Sequence, residues 1–267
     1  MRLRPRSPSG RLPARVPVIP LIQPPWPSGS FRALQQTKSN SGKPHAMSQP
    51  ILKIIDNFLD EEEWTELWTE FQFAELHPVS RTVGAWKLGD GIPLGGQEIV
   101  TPTRDEELVH DPAQPHRYPS NTAVDHVITA LLTDSDIYTD IVGDDWARIS
   151  ARTYVYSQGS SLSWHRDDSE LYAGAFIYHA HPHWNAHWGG ELLVAEHTDE
   201  DLPIMGHRFE TEAYSEGLLE SGTGQFVMPK PNRLVILGGA PHAVAPITSA
   251  AGSNVRANVT GFFLRGD

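Results

Sequence analysis

The spacing of apolar residues changes from helical to strand-like near the middle of the chain. A first helix is predicted by an apolar stripe at helical spacing, formed by Trp64, Leu67, Trp68 and Phe71. Asp60 and Glu63 form a capping-box pattern that marks where this helix begins. A strand over 51–55 precedes it, a second helix is predicted over about 120–132, and a short helical region follows near 135–145.

From residue 147 onward, short segments alternate apolar with polar positions and are separated by Gly, Pro and Asn clusters. The predicted strands are 147–156, 173–181, 191–195, 224–228, 233–237, 242–248 and 255–264. Seven or more short strands of this kind are typical of a sandwich or barrel. Because the helices come first, we expect them to pack on one face of the sheet system.

Composition divides the chain near Met47. Residues 1–46 hold eight of the 21 lysines and arginines, nine of the 22 prolines and no acidic residue. Residues 47–267 hold 13 basic and 33 acidic residues, a formal charge of −20. We expect the first segment to be a disordered tail, because proline blocks regular structure and few apolar residues offset the entropy of ordering. An organellar transit peptide and translation starting at Met47 are both open explanations for it.

Composition also disfavours several classes of function. The chain has no cysteine, so neither a disulfide framework nor a thiolate metal site is expected. No apolar stretch approaches the ~20 residues that span a bilayer, and an acidic domain repels the phosphates of nucleic acids. We therefore expect a cytoplasmic protein without membrane or nucleic-acid partners. The acidity favours a cationic or neutral substrate, although acidic surfaces are more often simply solubilising.

A candidate metal site is indicated by His165 and Asp167. Alternate residues of a strand point to one face, so this imidazole and carboxylate could converge on one ion, with Arg166 turned away. A His-x-Asp pattern alone is common by chance. His242, which follows a Gly-Gly-Ala-Pro turn, is the best candidate for a third ligand. Two histidines and one carboxylate leave open positions of the kind that non-haem Fe(II) oxygenases use, although zinc could occupy the same set.

Arg256 is a candidate for binding an anionic co-substrate. The strand 242–248 is predicted to form a hairpin with the last strand, which would place Arg256 opposite Pro246 and about 13 Å along the strand from His242. The planar guanidinium suits bidentate binding of a carboxylate. The alternative is a surface arginine near the end of the chain, which describes Arg265 better.

Five sequence motifs then occur in a characteristic order, at 156–167, at 177–180 with 189–192, at 230–237, at 242–248 and at 256–263. The first runs from Tyr-x-x-Gly to His-x-Asp, the second ends in Gly-Gly-Glu-Leu, and the last two carry the distal histidine and the basic residue. On these motifs, residues 51–264 resemble the prolyl-4-hydroxylase-like branch of the Fe(II)/2-oxoglutarate dioxygenases.

The resemblance implies a mostly β fold with flanking helices, in which a double-stranded β-helix (jelly-roll) core carries the N-terminal helices on one sheet. It implies Fe(II) held by His165, Asp167 and His242, and it implies that Arg256 pairs with the distal carboxylate of 2-oxoglutarate. Tyr156 matches a tyrosine that lines the co-substrate or substrate pocket in this family. The alternative for Tyr156 is a core aromatic residue whose hydroxyl is satisfied elsewhere.

Two positions depart from the family pattern. Ala180 stands where the family has asparagine, so any contact made by that side chain is absent here. Arg256 follows His242 by 14 positions, toward the long end of the family range. No other lysine or arginine lies between them.

The implied activity is that of a 2-oxoglutarate-dependent dioxygenase, which consumes O2, releases succinate and CO2, and hydroxylates an unactivated C–H bond. Ascorbate is a possible reductant, and the substrate could be a small molecule, a free amino acid or a prolyl side chain. The long loop 78–118 and the insert 179–188 could build a lid, which favours a small molecule. Desaturation or ring formation stays open, as does a non-catalytic metal-binding jelly roll, which has no use for an arginine anchor. The sequence does not determine the oligomeric state.

A histidine-rich insert contains His179, His181, His183 and His187. The first three alternate and could form a second metal site or a substrate-binding wall. Hydrogen-bonded or solvated histidines beside the pocket are the favoured interpretation. The indole side chains of Trp86, Trp184 and Trp188 could form an aromatic lid, and packing into the core is an equally good account of each.

Overall fold

The computed structural model describes residues 51–79, 91–167, 171–196 and 212–266, so the predicted tail and Trp86 lie outside the described residues. The helices are α1 (Glu61–Phe73), α2 (Val124–Thr133), α3 (Thr139–Val142) and α4 (Glu212–Ser221). The strands are β1 (Leu52–Asp56), β2 (His77–Pro78), β3 (Leu94–Val100), β4 (Arg148–Tyr156), β5 (Leu162–His165), β6 (Tyr172–His179), β7 (Leu192–Ala195), β8 (Gly224–Val227), β9 (Arg233–Leu237), β10 (His242–Val244) and β11 (Arg256–Leu264).

Two antiparallel sheets form the core. The larger has the strand order β1-β9-β6-β11-β4-β3-β2 and the smaller has the order β5-β10-β7-β8. One apolar cluster joins them, with side chains from β6 and β9 of the larger sheet and from β7, β8 and β10 of the smaller. This arrangement is the predicted double-stranded β-helix. No helix of the described part of the chain is long and apolar enough to cross a membrane.

Strand alternation gives the larger sheet two different faces. On β6, Phe176 and Tyr178 pack with the helices in the main hydrophobic cluster, whereas Ile177 joins the cluster between the two sheets. Because side chains alternate along a strand, the next inward-facing residue after Ile177 is His179. His179 therefore lies on the face of the larger sheet that is opposite to the helices.

Helix α1 begins as the sequence predicts. Asp60 accepts a hydrogen bond from the backbone N–H of Glu63 at 2.9 Å, and the Glu63 carboxylate accepts one from the backbone N–H of Asp60 at 3.3 Å. The predicted stripe faces the sheet, with Leu67 and Phe71 buried and both tryptophans packed against the same cluster. Trp64 also donates from its indole N–H to the carbonyl oxygen of Ala180 at 2.9 Å, which ties the helix to the chain just beyond β6.

The second helix begins later than predicted, at Val124. The Asp125 carboxylate accepts hydrogen bonds from the backbone N–H groups of Ser120 and Asn121, at 2.7 and 2.9 Å. Asn121 has a positive φ of 60°, a left-handed conformation that a right-handed helix excludes. Residues 120 and 121 therefore form a turn that precedes the helix.

The predicted hairpin between β10 and β11 is wrong. β10 ends at Val244, and the chain then crosses to the larger sheet through a 3-10 turn at Ser249–Ala251. Pro246 has no N–H with which to extend the ladder of the smaller sheet. Arg256 consequently pairs with Tyr156 of β4, and not with Pro246.

Strand β3 and helix α4 are not predicted by the sequence pattern, and β3 lies inside the segment 78–118, for which the sequence predicts a long loop. β3 carries two glycines, which weaken its strand signal. At Gly96 a Cβ atom would lie 2.2 Å from Oγ1 of Thr153, so this glycine allows the close approach of β4. The segment forms a strand because it pairs with β4.

Asn232 joins α1 to the sheet, and its replacement is expected to lower stability markedly. Its side-chain amide bonds the N–H and the carbonyl of Leu59 at 3.0 and 2.9 Å, and its Oδ1 accepts from the hydroxyl of Tyr178 at 3.0 Å. Because an unsatisfied buried polar group costs ~1–3 kcal/mol, Asn232→Ala should lower the free energy of unfolding by about 3 kcal/mol in denaturant titrations. The control is Asn57→Ala, since Asn57 has the same φ of 54° but is exposed. Equal losses in both variants would assign the effect to backbone conformation.

Candidate active site

Adjacent strands bring His165 and His242 together. The register of β5 and β10 pairs the two residues directly, and their ring centroids lie 4.2 Å apart. Asp167 lies beyond the end of β5, so its predicted position within the strand is wrong. Its carboxylate nevertheless reaches the pair, with Oδ2 at 3.7 Å from Nε2 of His165 and 3.2 Å from Nε2 of His242.

Backbone carbonyls fix the orientation of both imidazole rings. Nδ1 of His165 lies 2.7 Å from the carbonyl oxygen of Ser163, and Nδ1 of His242 lies 3.0 Å from that of Ala240. A carbonyl can only accept, so each Nδ1 donates a proton there, and Nε2 is the ring nitrogen that faces Asp167 and would bind a metal. This carbonyl–imidazole arrangement is the usual support of a metal-ligating histidine.

The three side chains fit a divalent metal ion. Among the described residues, His165, Asp167 and His242 form the group whose donor atoms all lie within 4.8 Å of one another. Donor atoms held about 2.1 Å from a metal at right angles lie about 3 Å apart, close to the spacing seen here. Two imidazole lone pairs that face a carboxylate also repel one another unless a cation lies between them. The donor set has the composition of the facial triad that binds non-haem Fe(II).

Arg256 is buried inside the fold with most of its hydrogen-bonding capacity unused. Its side chain is 1% exposed, and its Nη1 donates to Oδ1 of Asn258 at 3.0 Å. Nε and Nη2 have no partner among the described residues. Burial lowers the pKa of Arg256 to about 10, so the group is still a cation at neutral pH. A buried cation with two free donors is a strong site for an anion.

Neighbouring residues shape the space around this guanidinium. Asn258 lies two residues along β11 on the same face, a position that strand alternation predicts once Arg256 is singled out, although the sequence analysis did not select it. Gly190 has a φ of +76°, and a Cβ atom there would lie 3.2 Å from Cδ of Arg256. The glycine of the Gly-Gly-Glu-Leu segment thus leaves room for the arginine.

Tyr156 lies beside the Arg256 guanidinium, on the strand that pairs with β11. The Arg256 guanidinium carbon is 5.4 Å from the centroid of its ring. Burial raises the pKa of Tyr156 to about 12; the Arg256 cation opposes this shift and the Asp167 carboxylate adds to it. Both charges therefore act on one phenol, which is neutral at physiological pH and able to donate its proton in a hydrogen bond.

The histidines of the insert have different environments. His181 is buried, with Nδ1 at 3.1 Å from the carbonyl oxygen of Ala257 and Nε2 at 2.8 Å from that of Pro229. His183 and His187 are exposed, and the ring of His183 packs edge-on against Trp188 at 5.2 Å. His179 is fully buried on the inner face. Two histidines of the insert are therefore buried and two are exposed, so the four do not line one surface.

Trp184 and Trp188 pack beside Tyr156. Their rings meet edge-to-face at 5.3 Å, and both border a small cluster that includes Tyr156. The Trp184 indole donates to the carbonyl oxygen of Gly189 at 3.0 Å, which anchors it to the wall of the site.

Comparison with known proteins agrees with this arrangement. Residues 151–264 match the family model of the 2OG-Fe(II) oxygenase superfamily, a range that runs from β4 to β11 and contains all five candidate site residues. No curated protein matches the chain.

Two solved structures have a similar fold. A prolyl-4-hydroxylase from Pseudomonas putida aligns with a TM-score of 0.53 and 18% identity, over 80% of this chain and 93% of that chain. A prolyl hydroxylase from Trichoplax adhaerens, in complex with a hypoxia inducible factor oxygen degradation domain peptide fragment, aligns with a TM-score of 0.51 and 15% identity, over 80% and 84%. Residues 151–264 therefore carry the sequence pattern of the 2OG-Fe(II) oxygenase superfamily, which supports a 2-oxoglutarate-dependent dioxygenase, and the described part of the chain has the fold seen in the prolyl-4-hydroxylases.

Proposed function

We propose that this enzyme hydroxylates an unactivated C–H bond of a small molecule, an amino acid or a prolyl residue, and releases succinate and CO2. In this proposal His165, Asp167 and His242 bind Fe(II), and Arg256 binds the distal carboxylate of 2-oxoglutarate. The iron centre, when bound, would supply the activation of O2 and the oxidative decarboxylation of 2-oxoglutarate. Ascorbate would act as a reductant that keeps the iron in the ferrous state.

The observation that carries the proposal is the buried guanidinium of Arg256, which has no carboxylate partner among the described residues and leaves Nε and Nη2 unbonded there. A buried cation without a counter-charge is costly, and an anionic ligand would remove that cost. The two free donors, Nε and Nη2, match the two oxygens of a carboxylate.

The protein's own residues would have three tasks in the reaction. The carbonyl-bonded imidazoles would hold their Nε2 atoms toward the metal, so that no ring rotation is needed when the metal binds. Arg256 would orient the co-substrate, and Trp184 and Trp188 would help to exclude water from the site.

Tyr156 is proposed to hydrogen-bond the co-substrate through its neutral hydroxyl. Tyr156→Phe should weaken binding of 2-oxoglutarate about three- to tenfold, because one hydrogen bond contributes ~0.5–1.5 kcal/mol. Calorimetry on the anaerobic, Fe(II)-loaded protein measures this change. Tyr154→Phe is the matched control, since Tyr154 lies two residues earlier on the same strand and face. Equal affinity of Tyr156→Phe and the wild type would show that Tyr156 only packs.

The proposed function is tested by incubating the Fe(II)-loaded protein with 2-oxoglutarate and ascorbate in air and measuring succinate. Release of succinate is expected even without the substrate, at a slow uncoupled rate. A screen of free amino acids, prolyl peptides and small molecules should then identify compounds that raise this rate and gain one oxygen atom. A product that has instead lost two hydrogens would indicate desaturation or ring formation. Failure both to release succinate and to bind 2-oxoglutarate would refute the proposal.

A further inference from the structure

His179 is a buried imidazole that the proposed roles leave unexplained. It is the last residue of β6, it is fully buried, and both Nδ1 and Nε2 lack a hydrogen-bond partner among the described residues. Buried polar groups are nearly always paired, and an exception needs an explanation such as a ligand that binds there. His181, two residues later, has a carbonyl oxygen close to each of its ring nitrogens. The lack of partners therefore belongs to this position and not to the insert as a whole.

Strand register places His179 next to the arginine site. His179 pairs with Asn258 on β11, and Arg256 pairs with Tyr156 across the other edge of the same strand. Asn258 and Arg256 share a face, since the arginine donates to the asparagine side chain. Diagonal neighbours of this kind lie within reach of long side chains. A ligand held by Arg256 would thus have Tyr156 on one flank and His179 on the other.

The charge state of His179 suits a hydrogen-bond donor. Burial, and next the nearby Arg256 cation, hold the pKa of His179 well below its usual value, so the ring is neutral. A neutral imidazole has one N–H donor. It can therefore bind an anion beside Arg256 without placing a second cation in the interior. A carboxylate has about four acceptor positions, and a bidentate arginine occupies two of them.

We propose that His179 donates a hydrogen bond to the same distal carboxylate that Arg256 binds, and so acts as a positioning residue for the co-substrate. This inference rests on the proposed function, and it adds selectivity for a 2-oxo acid with a second carboxylate. A 2-oxo acid that lacks this group, such as pyruvate, would gain nothing from His179.

The test is anaerobic calorimetry of the Fe(II)-loaded protein with 2-oxoglutarate and with pyruvate. His179→Leu, which has similar size and no donor, is expected to bind 2-oxoglutarate about ten- to a hundredfold more weakly, the range for a hydrogen bond to a charged group. Its affinity for pyruvate should equal that of the wild type. His179→Gln restores a donor and should recover most of the lost affinity. Circular dichroism and iron content establish that each variant is folded and loaded.

A second measurement uses the unmodified protein. The ring nitrogens of 15N-histidine-labelled protein, loaded with Zn(II) to avoid paramagnetic broadening, are observed by NMR as 2-oxoglutarate is added. The resonances of the buried His179 should shift with 2-oxoglutarate and not with pyruvate. The NMR measurement still tests the proposal if neither His179→Leu nor His179→Gln folds.

The outcomes separate the two levels of the proposal. If the wild type binds 2-oxoglutarate, and His179→Leu binds it equally well or the His179 resonances do not move, His179 is structural and this inference is wrong. If the wild type binds no 2-oxoglutarate, the proposed function itself fails, and His179 must be explained by another anion or by an internal water.

Discussion

Single replacement of a proposed metal ligand is expected to abolish turnover. In His165→Ala, Asp167→Ala and His242→Ala, release of succinate from 2-oxoglutarate should fall at least about a thousandfold, since the reaction depends on the metal for several kcal/mol of stabilisation. The physical reason lies in the convergence of the three donors, since Oδ2 of Asp167 lies 3.7 Å from Nε2 of His165 and 3.2 Å from Nε2 of His242. Losing one donor removes a bond to the metal and leaves the other two insufficient to hold it.

Metal analysis separates loss of iron from loss of fold. Each variant should retain the far-ultraviolet spectrum of the wild type while its bound iron, measured after desalting, falls well below one equivalent. His187→Ala is the matched control, because His187 is a nearby but exposed histidine outside the triad. A variant of His165 or His242 that keeps stoichiometric iron and normal turnover would remove that residue from the ligand set. Comparing turnover with Fe(II) and Zn(II) also tests which metal the site uses, since zinc has no redox chemistry.

Replacement of Arg256 is expected to have the second largest effect. Arg256→Ala should weaken binding of 2-oxoglutarate at least about a hundredfold, because a bidentate contact with a carboxylate contains two charge-assisted hydrogen bonds. Arg256→Lys keeps the charge but loses the planar fork, so its affinity for 2-oxoglutarate should lie between that of the wild type and that of Arg256→Ala. Both variants should still bind iron, which distinguishes this defect from that of the ligand variants.

The stability of the Arg256 variants provides an independent readout. Because the wild-type guanidinium is buried without a carboxylate partner among the described residues, Arg256→Ala removes an unfavourable buried charge as well as packing contacts. A ligand that binds the folded protein raises its unfolding temperature. The unfolding temperature of the wild type should therefore rise when 2-oxoglutarate is added, and that of Arg256→Ala should not. Arg265→Ala is the control, since Arg265 bonds Asp145 near the surface. An equal thermal shift in Arg256→Ala and the wild type would place the co-substrate elsewhere.

The sequence predicted the elements that local rules control. The capping box of Asp60 and the stripe facing the sheet are encoded within one helix. Strands bounded by turn residues, such as β4 and β9, lie within one residue of their predicted ends. The predicted secondary structure was wrong where contacts with residues outside the segment decide its conformation. β3 is a strand because β4 binds its glycine-containing edge, and α2 starts late because a carboxylate holds the preceding residues in a turn.

The candidate site divides in the same way. The sequence by itself selected His165, Asp167, His242, Arg256 and Tyr156, because residue type and motif order are properties of the chain. Only the tertiary structure decided that β10 and β11 belong to different sheets, so that Arg256 lies beside Tyr156 and not opposite Pro246. Likewise, only the folded chain shows that nitrogens of Arg256 and His179 are buried without a hydrogen-bond partner among the described residues. Whether a polar atom has a partner depends on residues far apart in sequence, and strand register, which no local pattern specifies, brings them together.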